Sequence, residues 1–450
     1  MAHLMNINVP QTLLKKISKN IILEEEDFLK VCKIFRQEAK DGLNKDKTKR
    51  KSLQMENTFV RHLLDGAECG DYMALDLGGT NFRVLLCKMR NGELRETKVK
   101  NYNLEKEVLR GPSDGVFDHI ANSIAKFLTE FNIQNNNIPL GFTFSFPMSQ
   151  FGLNKGVLVT WTKTFKCPDG VGKNAVEMLE DALKRKKVTK VKVVAILNDT
   201  TGTLLAGSYL DHKCSIGLIL GTGFNAAYVE NAANVKRWGN EEMGDTKQVV
   251  IDTECGAFGD NGSLDFFKSE EDFLLDKHSN HIGSFTFEKL FAGHYVGDLV
   301  RLHLKSLNSA GTFLSEPCEA LKQWGHFNGR HVTDIEKGHN VEEILQNLLK
   351  VKVSKDDCLI ARYICRAISI RCCQLVSAII LELGSIMERN HVTVAIDGSW
   401  YRHHPKMKSD MEKILKEFDK NRVYEFILAD DGSGKGAAFV AAVATGLEKD

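Results

Sequence analysis

Two stretches of the chain carry the same alternation of apolar and polar positions. Ala74-Leu-Asp-Leu-Gly-Gly-Thr-Asn-Phe-Arg-Val84 and Leu218-Ile-Leu-Gly-Thr-Gly-Phe-Asn-Ala-Ala-Tyr-Val229 each run as an apolar strand, a glycine-rich turn carrying threonine, an asparagine and a second strand. The pattern predicts two β-hairpins whose turns offer backbone N–H groups with no side chain in the way. Converging N–H groups of this kind suit phosphate oxygens. A matched pair, far apart in sequence, could hold one polyphosphate from both sides of a cleft.

Elsewhere the apolar period predicts further elements. Leu13, Leu14, Ile17, Ile21 and Ile22 fall at near-helical spacing and Phe28 to Leu43 continues it, so residues from about 11 to 65 are expected to be helical. The basic run Lys45 to Lys51 is expected to be a solvated loop. Phe117 to Phe131 reads as an amphipathic helix, with Ile120, Ile124 and Phe127 on one face. Leu140-Gly-Phe-Thr-Phe-Ser-Phe146 alternates strictly, as a half-buried strand stopped by Pro147 would. A helix follows over Asn174 to Lys187, then a buried strand over Val191 to Leu197. Asn340-Val-Glu-Glu343 has the form of a capping box opening a helix through Leu349. Leu359 to Glu388 is a long helix or helix pair, Val392 to Ile396 a strand, and Asp430-Asp-Gly-Ser-Gly-Lys-Gly436 leads into a small-residue helix over Ala437 to Leu447. Strands mixed with helices predict α/β layers, and the repeated hairpin predicts two related domains that meet near the helix after Asp199.

At 450 residues the chain can form two or three domains, and 43% hydrophobic with 26% charged residues is ordinary for a soluble globular protein. A formal charge of +1 gives no reason to expect nucleic acid or an anionic membrane surface as partner. The eleven cysteines form no regular framework, so reduced thiols and a cytoplasmic location are expected. No run reaches the ~18 uninterrupted apolar residues of a membrane span; the longest apolar region is broken by Arg362, Arg366, Arg371 and Glu382. Cys358, Cys365 and Cys372 recur every seven residues, a spacing that helical core packing explains without zinc.

The candidate chemistry gathers at strand ends. No Gly-x-x-x-x-Gly-Lys-Ser/Thr motif is present, which argues against a P-loop. Gly221-Thr-Gly-Phe-Asn-Ala226 fits a loose dinucleotide fingerprint, but its sister copy continues as a strand where that reading needs a helix. Asp76 beside phosphates would repel them unless a hard cation such as Mg²⁺, keeping most of its waters, stood between. Asp199, at the end of the Val191 to Leu197 strand, suits either a helix N-cap or a general base. Glu254 and Glu288 are single carboxylates, and each taken alone is more often a solvated surface acid.

At these residues the chain resembles the hexokinases, closest to the single-unit animal enzymes. Leu-Asp-Leu-Gly-Gly-Thr-Asn-Phe-Arg-Val stands at 75–84, Leu-Gly-Phe-Thr-Phe-Ser-Phe-Pro at 140–147 and Trp-Thr-Lys at 161–163. Asn198-Asp199-Thr, Gly221-Thr-Gly, Gly256-Ala-Phe-Gly259, Asp397-Gly-Ser and Asp431-Gly-Ser-Gly follow in family order. The resemblance implies a two-domain α/β actin-like ATPase (hexokinase) fold, with small and large domains flanking a cleft. Residues 1–70 would be N-terminal helices on the large domain, 71–208 the small domain, and 209–450 the large domain with a C-terminal helix returning toward the small one. It implies ATP-dependent phosphorylation of the 6-hydroxyl of glucose and related hexoses, the first step of glycolysis. Asp199 would be the catalytic base, with Lys163 contacting sugar and transferring phosphoryl group. Ser145, Phe146, Pro147, Thr162, Asn198, Asn225, Glu254 and Glu288 would form the sugar site. Asp76, Gly78, Gly79, Thr80, Asn81, Arg83 and Thr222 would face the ATP phosphates and Mg²⁺, with no direct protein ligand to the metal beyond Asp76 acting through water. Ser399, Gly432, Ser433, Gly434 and Lys435 would border the nucleotide.

Three positions depart from the family pattern: Cys255 stands where tryptophan is typical, Thr164 where glycine is, and Phe224 is less common beside Asn225. A monomer or homodimer is expected, since there is no second catalytic half. Two other readings stay open, a sugar-binding sensor with little catalysis and an actin-like or chaperone ATPase acting on protein partners.

Overall fold

A computed structural model describes residues 4–5, 7, 21–46, 48, 51–79, 81–162, 165–236 and 245–446. Two mixed sheets with one shared plan form its frame. The first has the order β4-β3-β2-β5-β8, built from β2 (Gly70–Leu77), β3 (Asn81–Arg90), β4 (Glu93–Asn103), β5 (Ile138–Phe144) and β8 (Val191–Leu197). The second has the order β1-β11-β10-β9-β12-β13, from β1 (Glu56–Asn57), β9 (Cys214–Leu220), β10 (Phe224–Asn231), β11 (Gln248–Asp252), β12 (His391–Asp397) and β13 (Val423–Leu428). In each, three strands meander antiparallel and two more add in parallel beside the first of the three. The repeated hairpin is thus the visible part of a repeated sheet. A separate small ribbon pairs β6 (Met148–Gly152) with β7 (Lys155–Leu158).

Helices complete the layers. Ser113–Glu130 and Ala175–Arg185 cover the outer face of the first sheet through Phe117, Ile120, Ile124, Phe127, Leu179 and Leu183. Lys355–Ile386 is a single helix threaded through the core beside the second sheet, flanked by Glu25–Gly42, Val296–Ser309, Gly329–Lys337 and Met407–Phe418. By length and composition it could cross a membrane, but the whole of its most apolar stretch is buried in protein. Its cysteines Cys365, Cys372 and Cys373 are buried core residues.

Between the sheets lie two helices that exchange sides. Asp199–Leu210 follows a strand of the first sheet yet packs on β9, β10 and β12 of the second; Gly432–Gly446 follows the second sheet yet packs on β2, β3, β5 and β8 of the first. The two helices also pack on each other, and glycines set how closely. A Cβ at Gly436 would lie 1.9 Å from the Gly202 carbonyl oxygen, and one at Gly141 would lie 1.9 Å from that of Ala437. Neither obstacle is a flexible side chain. Gly436→Ala is therefore expected to destabilise the fold by about 1–3 kcal/mol, read as a lower urea midpoint with an unchanged slope.

The structure corrects four expectations. The helical pattern expected over 11–65 yields a helix only at Glu25–Gly42, with 11–20 outside the described residues. Residues 51–64 instead run extended along the edge of the second sheet, where Thr58 N–H donates to Val250 O and Val250 N–H to Val60 O. Their buried Leu53, Met55, Val60 and Leu64 mimic helical spacing, but Met55 (φ 51°) and Phe59 (φ 59°) take a left-handed backbone that no α-helix contains. The strand at Leu140 to Phe146 is not half-buried. The C-terminal helix covers its small-residue face, and Thr143 Oγ1 donates to Ser433 O (2.9 Å). Asn340 makes no capping box, because its left-handed backbone (φ 52°) carries its side chain away from the first turn. The C-terminal helix, expected from Ala437, begins at Gly432, so Gly432–Lys435 form its first turn.

Candidate active site

Register brings the candidate residues to one level. Leu77 pairs with Phe144, and Thr143 pairs with Leu197, so Gly78, Ser145 and Asn198 emerge side by side where β2, β5 and β8 end. Ser145 N–H donates to Leu77 O (3.3 Å). Beneath this rim, Phe146, Trp161 and Phe165 form an aromatic cluster, the last two stacked with centroids 5.0 Å apart. The cluster anchors the strand-end segment that holds Ser145, Pro147 and Thr162. Pro147 O accepts from Val159 N–H, and Thr162 O accepts from Phe165 N–H. Lys163, Thr164 and Thr80 lie outside the described residues.

The helix cap beside Asp199 is supplied by its neighbour. Asn198 is the N-cap, its Oδ1 accepting from Thr200 N–H (3.0 Å) and Thr200 Oγ1 (3.1 Å). Asp199 is the first helical residue, so capping does not account for its carboxylate. That carboxylate faces Asp252 and Glu254 closely enough to raise both their pKa values.

The sugar candidates of the second sheet converge on the same place. Asn198 Nδ2 donates to Glu254 Oε1 (3.5 Å), and Asn225 Nδ2 donates to Asp252 Oδ1 (2.8 Å). Asn225 Oδ1 accepts from Ala226 N–H (2.7 Å) and Cys255 N–H (3.2 Å), so the amide is held at both ends. Glu288 Oε2 accepts from Phe224 N–H (2.9 Å) and sits where a Cβ on Gly223 would come within 2.4 Å of it. The short helix Thr286–Lys289 that carries Glu288 is fixed by Asp260, which accepts from the N–H groups of Phe285 and Thr286. Glu254 (φ 50°) and Phe285 (φ 58°) both adopt left-handed backbone next to this cluster, the kind of strain that concentrates at functional sites.

A second cluster forms where β2, β12 and the C-terminal helix meet. Arg83 pairs with Asp76 and with Asp431 (2.5 Å), and Ser433 Oγ donates to Asp76 Oδ2 (3.1 Å). Asp397 Oδ2 accepts from Gly432 N–H (3.0 Å), and Arg402 bridges Asp397 to Asp430. Burial pushes the Asp431 carboxyl up, Arg83 opposes the shift, and Asp76 and Asp397 add to it. Arg83, expected to face the nucleotide, is thus already held by two carboxylates of the chain. Gly434 packs against Asp431 and Arg83, while Lys435 reaches Asp430 O (3.4 Å). On the second hairpin, Gly221 lies against Gly398 at the start of the Ser399 helix, with Ser399 and Thr222 exposed. Asn81 is exposed too, at the tip of the first hairpin beside Gly78 and Gly79.

Family models described as hexokinase match residues 13–209 and 215–443. The chain belongs to the hexokinase family. It is 39% identical over 441 residues to Hexokinase-1 of Mus musculus, covering 95% of this chain and 45% of the relative. Against Hexokinase-1 of Homo sapiens the identity is again 39%, covering 95% and 48%. The chain thus spans about half the length of the curated relatives it matches. The solved hexokinase from Schistosoma mansoni, complexed with glucose, is 35% identical with a TM-score of 0.86, covering 96% of this chain and 99% of that one. A further solved hexokinase is 27% identical with a TM-score of 0.83. The fold is accordingly the two-domain α/β fold of hexokinases.

Among the departures from the hexokinase pattern, Cys255 is buried, with Sγ 3.9 Å from Asn225 Oδ1. Phe224 packs its ring against Phe287 and Phe291, beneath Glu288. The sequence reading missed Asp252, Asp260, Arg402 and the roles of Asp397 and Asp431. Asp252 carried one signal, its place two residues before Glu254.

Proposed function

We propose that this protein transfers the γ-phosphoryl group of ATP to the 6-hydroxyl of glucose or a related hexose. The observation that carries the reading is the gathering of Asn198, Asp199, Asn225, Glu254 and Glu288, from separate segments of the chain, around one site. Such paired amides and carboxyls match the donor and acceptor hydroxyls of a sugar, and a missing hydroxyl would leave them unpaired. In this reading Asp199 accepts the proton of the 6-hydroxyl as the phosphoryl group moves in line. Ser145 and Thr162, with Lys163, contribute from the strand-end segment. The family membership and the glucose named with the Schistosoma mansoni structure support this assignment.

The phosphates would lie between Gly78-Gly79 and the N-terminus of the Gly432–Gly446 helix, whose first-turn N–H groups and dipole favour anions. Four carboxylates there, Asp76, Asp397, Asp430 and Asp431, meet Arg83, Arg402 and Lys435. That acidic excess fits a nucleotide carrying Mg²⁺, with Asp76 reaching the metal through water. The metal would neutralise charge on the transferring group. Residues 71–208 and 209–450 would close on each other around the sugar and exclude water, the obvious competing acceptor. A cytoplasmic location and a monomer or homodimer complete the reading.

A coupled assay for ADP and hexose phosphate, with glucose, mannose, fructose and glucosamine, tests it. The expected result is ATP turnover that depends on the hexose. Strong ATP hydrolysis without sugar would favour an ATPase acting on other partners, and sugar binding without turnover would favour a sensor.

A further inference from the structure

Asp252 is the last residue of β11 and is buried, yet it contacts three elements of the proposed sugar site. Its Oδ1 accepts from Asn225 Nδ2 (2.8 Å), Thr200 Oγ1 (3.4 Å) and Glu254 N–H (3.5 Å). The Glu254 carboxyl lies close enough for the Asp252 charge to raise its pKa. Two neighbouring buried carboxyls avoid like-charge repulsion when one proton stays with the pair.

We propose that Asp252 is a positioning residue for the hexose, fixing Asn225 and sharing one proton with Glu254 so that sugar affinity follows the protonation of this pair. The inference rests on the hexose reading and adds its pH dependence.

The surroundings of the pair favour protonation. Asp199 faces it from the helix after β8, and Glu56 faces it from β1, directly across from Asp252 in register. Thr200 and Asn225 are neutral, and burial pushes the Cys255 thiol far up, so it stays uncharged. The strongest charged influences on the pair all come from acids. Burial pushes Asp252 up to about 6, with Asp199 adding to the shift while hydrogen bonds from Glu254 and Asn225 oppose it. Burial, then Asp252, Asp199 and Glu56, hold Glu254 well above the ordinary carboxyl range.

Near neutrality the pair therefore keeps one proton and one negative charge. As the pH falls through about 6, Asp252 takes up a second proton. Its oxygen then becomes a weaker acceptor for the Asn225 amide, and the grip on the hexose loosens. In Asp252→Asn, the new Oδ1 can still accept from Asn225 and the new Nδ2 can donate to Glu254, but position 252 no longer titrates.

The experiment is titration calorimetry of glucose binding to the full chain, without nucleotide, from about pH 5 to about pH 8. The wild type should lose roughly tenfold in affinity toward the acid end. Asp252→Asn should flatten that limb, and Asp252→Ala should bind more weakly at every pH because Asn225 has lost its anchor. Rescue of the alanine variant's affinity by asparagine separates positioning from general damage to the fold. Superimposable wild-type and Asp252→Asn profiles, or wild-type affinity in Asp252→Ala, would overturn the proposal while leaving the hexose reading intact. A wild-type protein that binds no hexose at any pH would overturn the hexose reading itself, and this inference with it.

Discussion

Asp199→Ala should lower kcat for hexose phosphorylation by at least about 100-fold, the usual scale for losing a positioned general base. The structure makes the variant interpretable. Asn198 caps the helix, and the Asp199 backbone oxygen, rather than its carboxylate, accepts from Thr203 Oγ1 (2.9 Å). Removing the carboxylate therefore leaves the helix start in place, so lost turnover reports lost proton acceptance. A second consequence follows from its neighbours. Asp199 raises the pKa values of both Asp252 and Glu254, so its removal should shift the acid limb of hexose binding to lower pH. Steady-state kinetics at saturating ATP, with calorimetric hexose binding across pH, check both parts. Normal turnover by Asp199→Ala would remove Asp199 from the role of base.

How far the residues alone disclosed this arrangement depends on whether the signal was local. Both hairpins and the buried strand Val191–Leu197 announce themselves by alternation, and the turn glycines mark where backbone must be bare. The edge segment after Gly42 does not. Its apolar residues pack along a sheet formed by strands some 190 positions later, as the Thr58–Val250 contact shows (|i−j| = 192), and such a partner leaves no local period. The C-terminal helix hides its purpose in the same way: Gly436 and Ala437 read as small helical residues until Gly202 and Gly141 are found against them. In the site, the carboxylates and amides could be singled out by type and spacing. What they hold could not, because Asn225 meets Asp252, and Asn198 meets Glu254, only after β8, β10 and β11 are assembled. The arginine on Asp76 is instructive. A carboxylate at a phosphate turn suggests a cation, and the chain itself supplies one seven residues on, at the register partner of Asp76.

Arg371→Met should destabilise the protein by about 3–5 kcal/mol, the typical penalty for stripping one partner from a buried ion pair. Arg371 lies fully buried in the middle of the Lys355–Ile386 helix and grips Asp272 with two parallel bonds, Nη1 to Oδ2 and Nη2 to Oδ1, each 2.9 Å. Nη2 also donates to Leu290 O (2.8 Å), two residues beyond Glu288. The arginine thus ties the core helix both to the capping box of Glu270–His278 and to the segment that carries Glu288. Burial alone would raise the Asp272 carboxyl; the charge and hydrogen bonds of Arg371, with the N–H of Ser269, outweigh it and hold the group below its ordinary value. A depressed folded-state pKa stabilises the fold above the unfolded carboxyl's pKa, and that contribution is lost as pH falls through the folded value. The wild type should therefore lose stability in acid through this pair, and Arg371→Met should lack that share of the acid dependence while being weaker near neutrality. The double variant Arg371→Met with Asp272→Leu should recover part of the loss, since no unpaired charge remains buried. Urea unfolding of the three proteins at neutral and acid pH measures each term. Single-variant stability equal to wild type near neutrality would show that the pair does not hold the core helix in place.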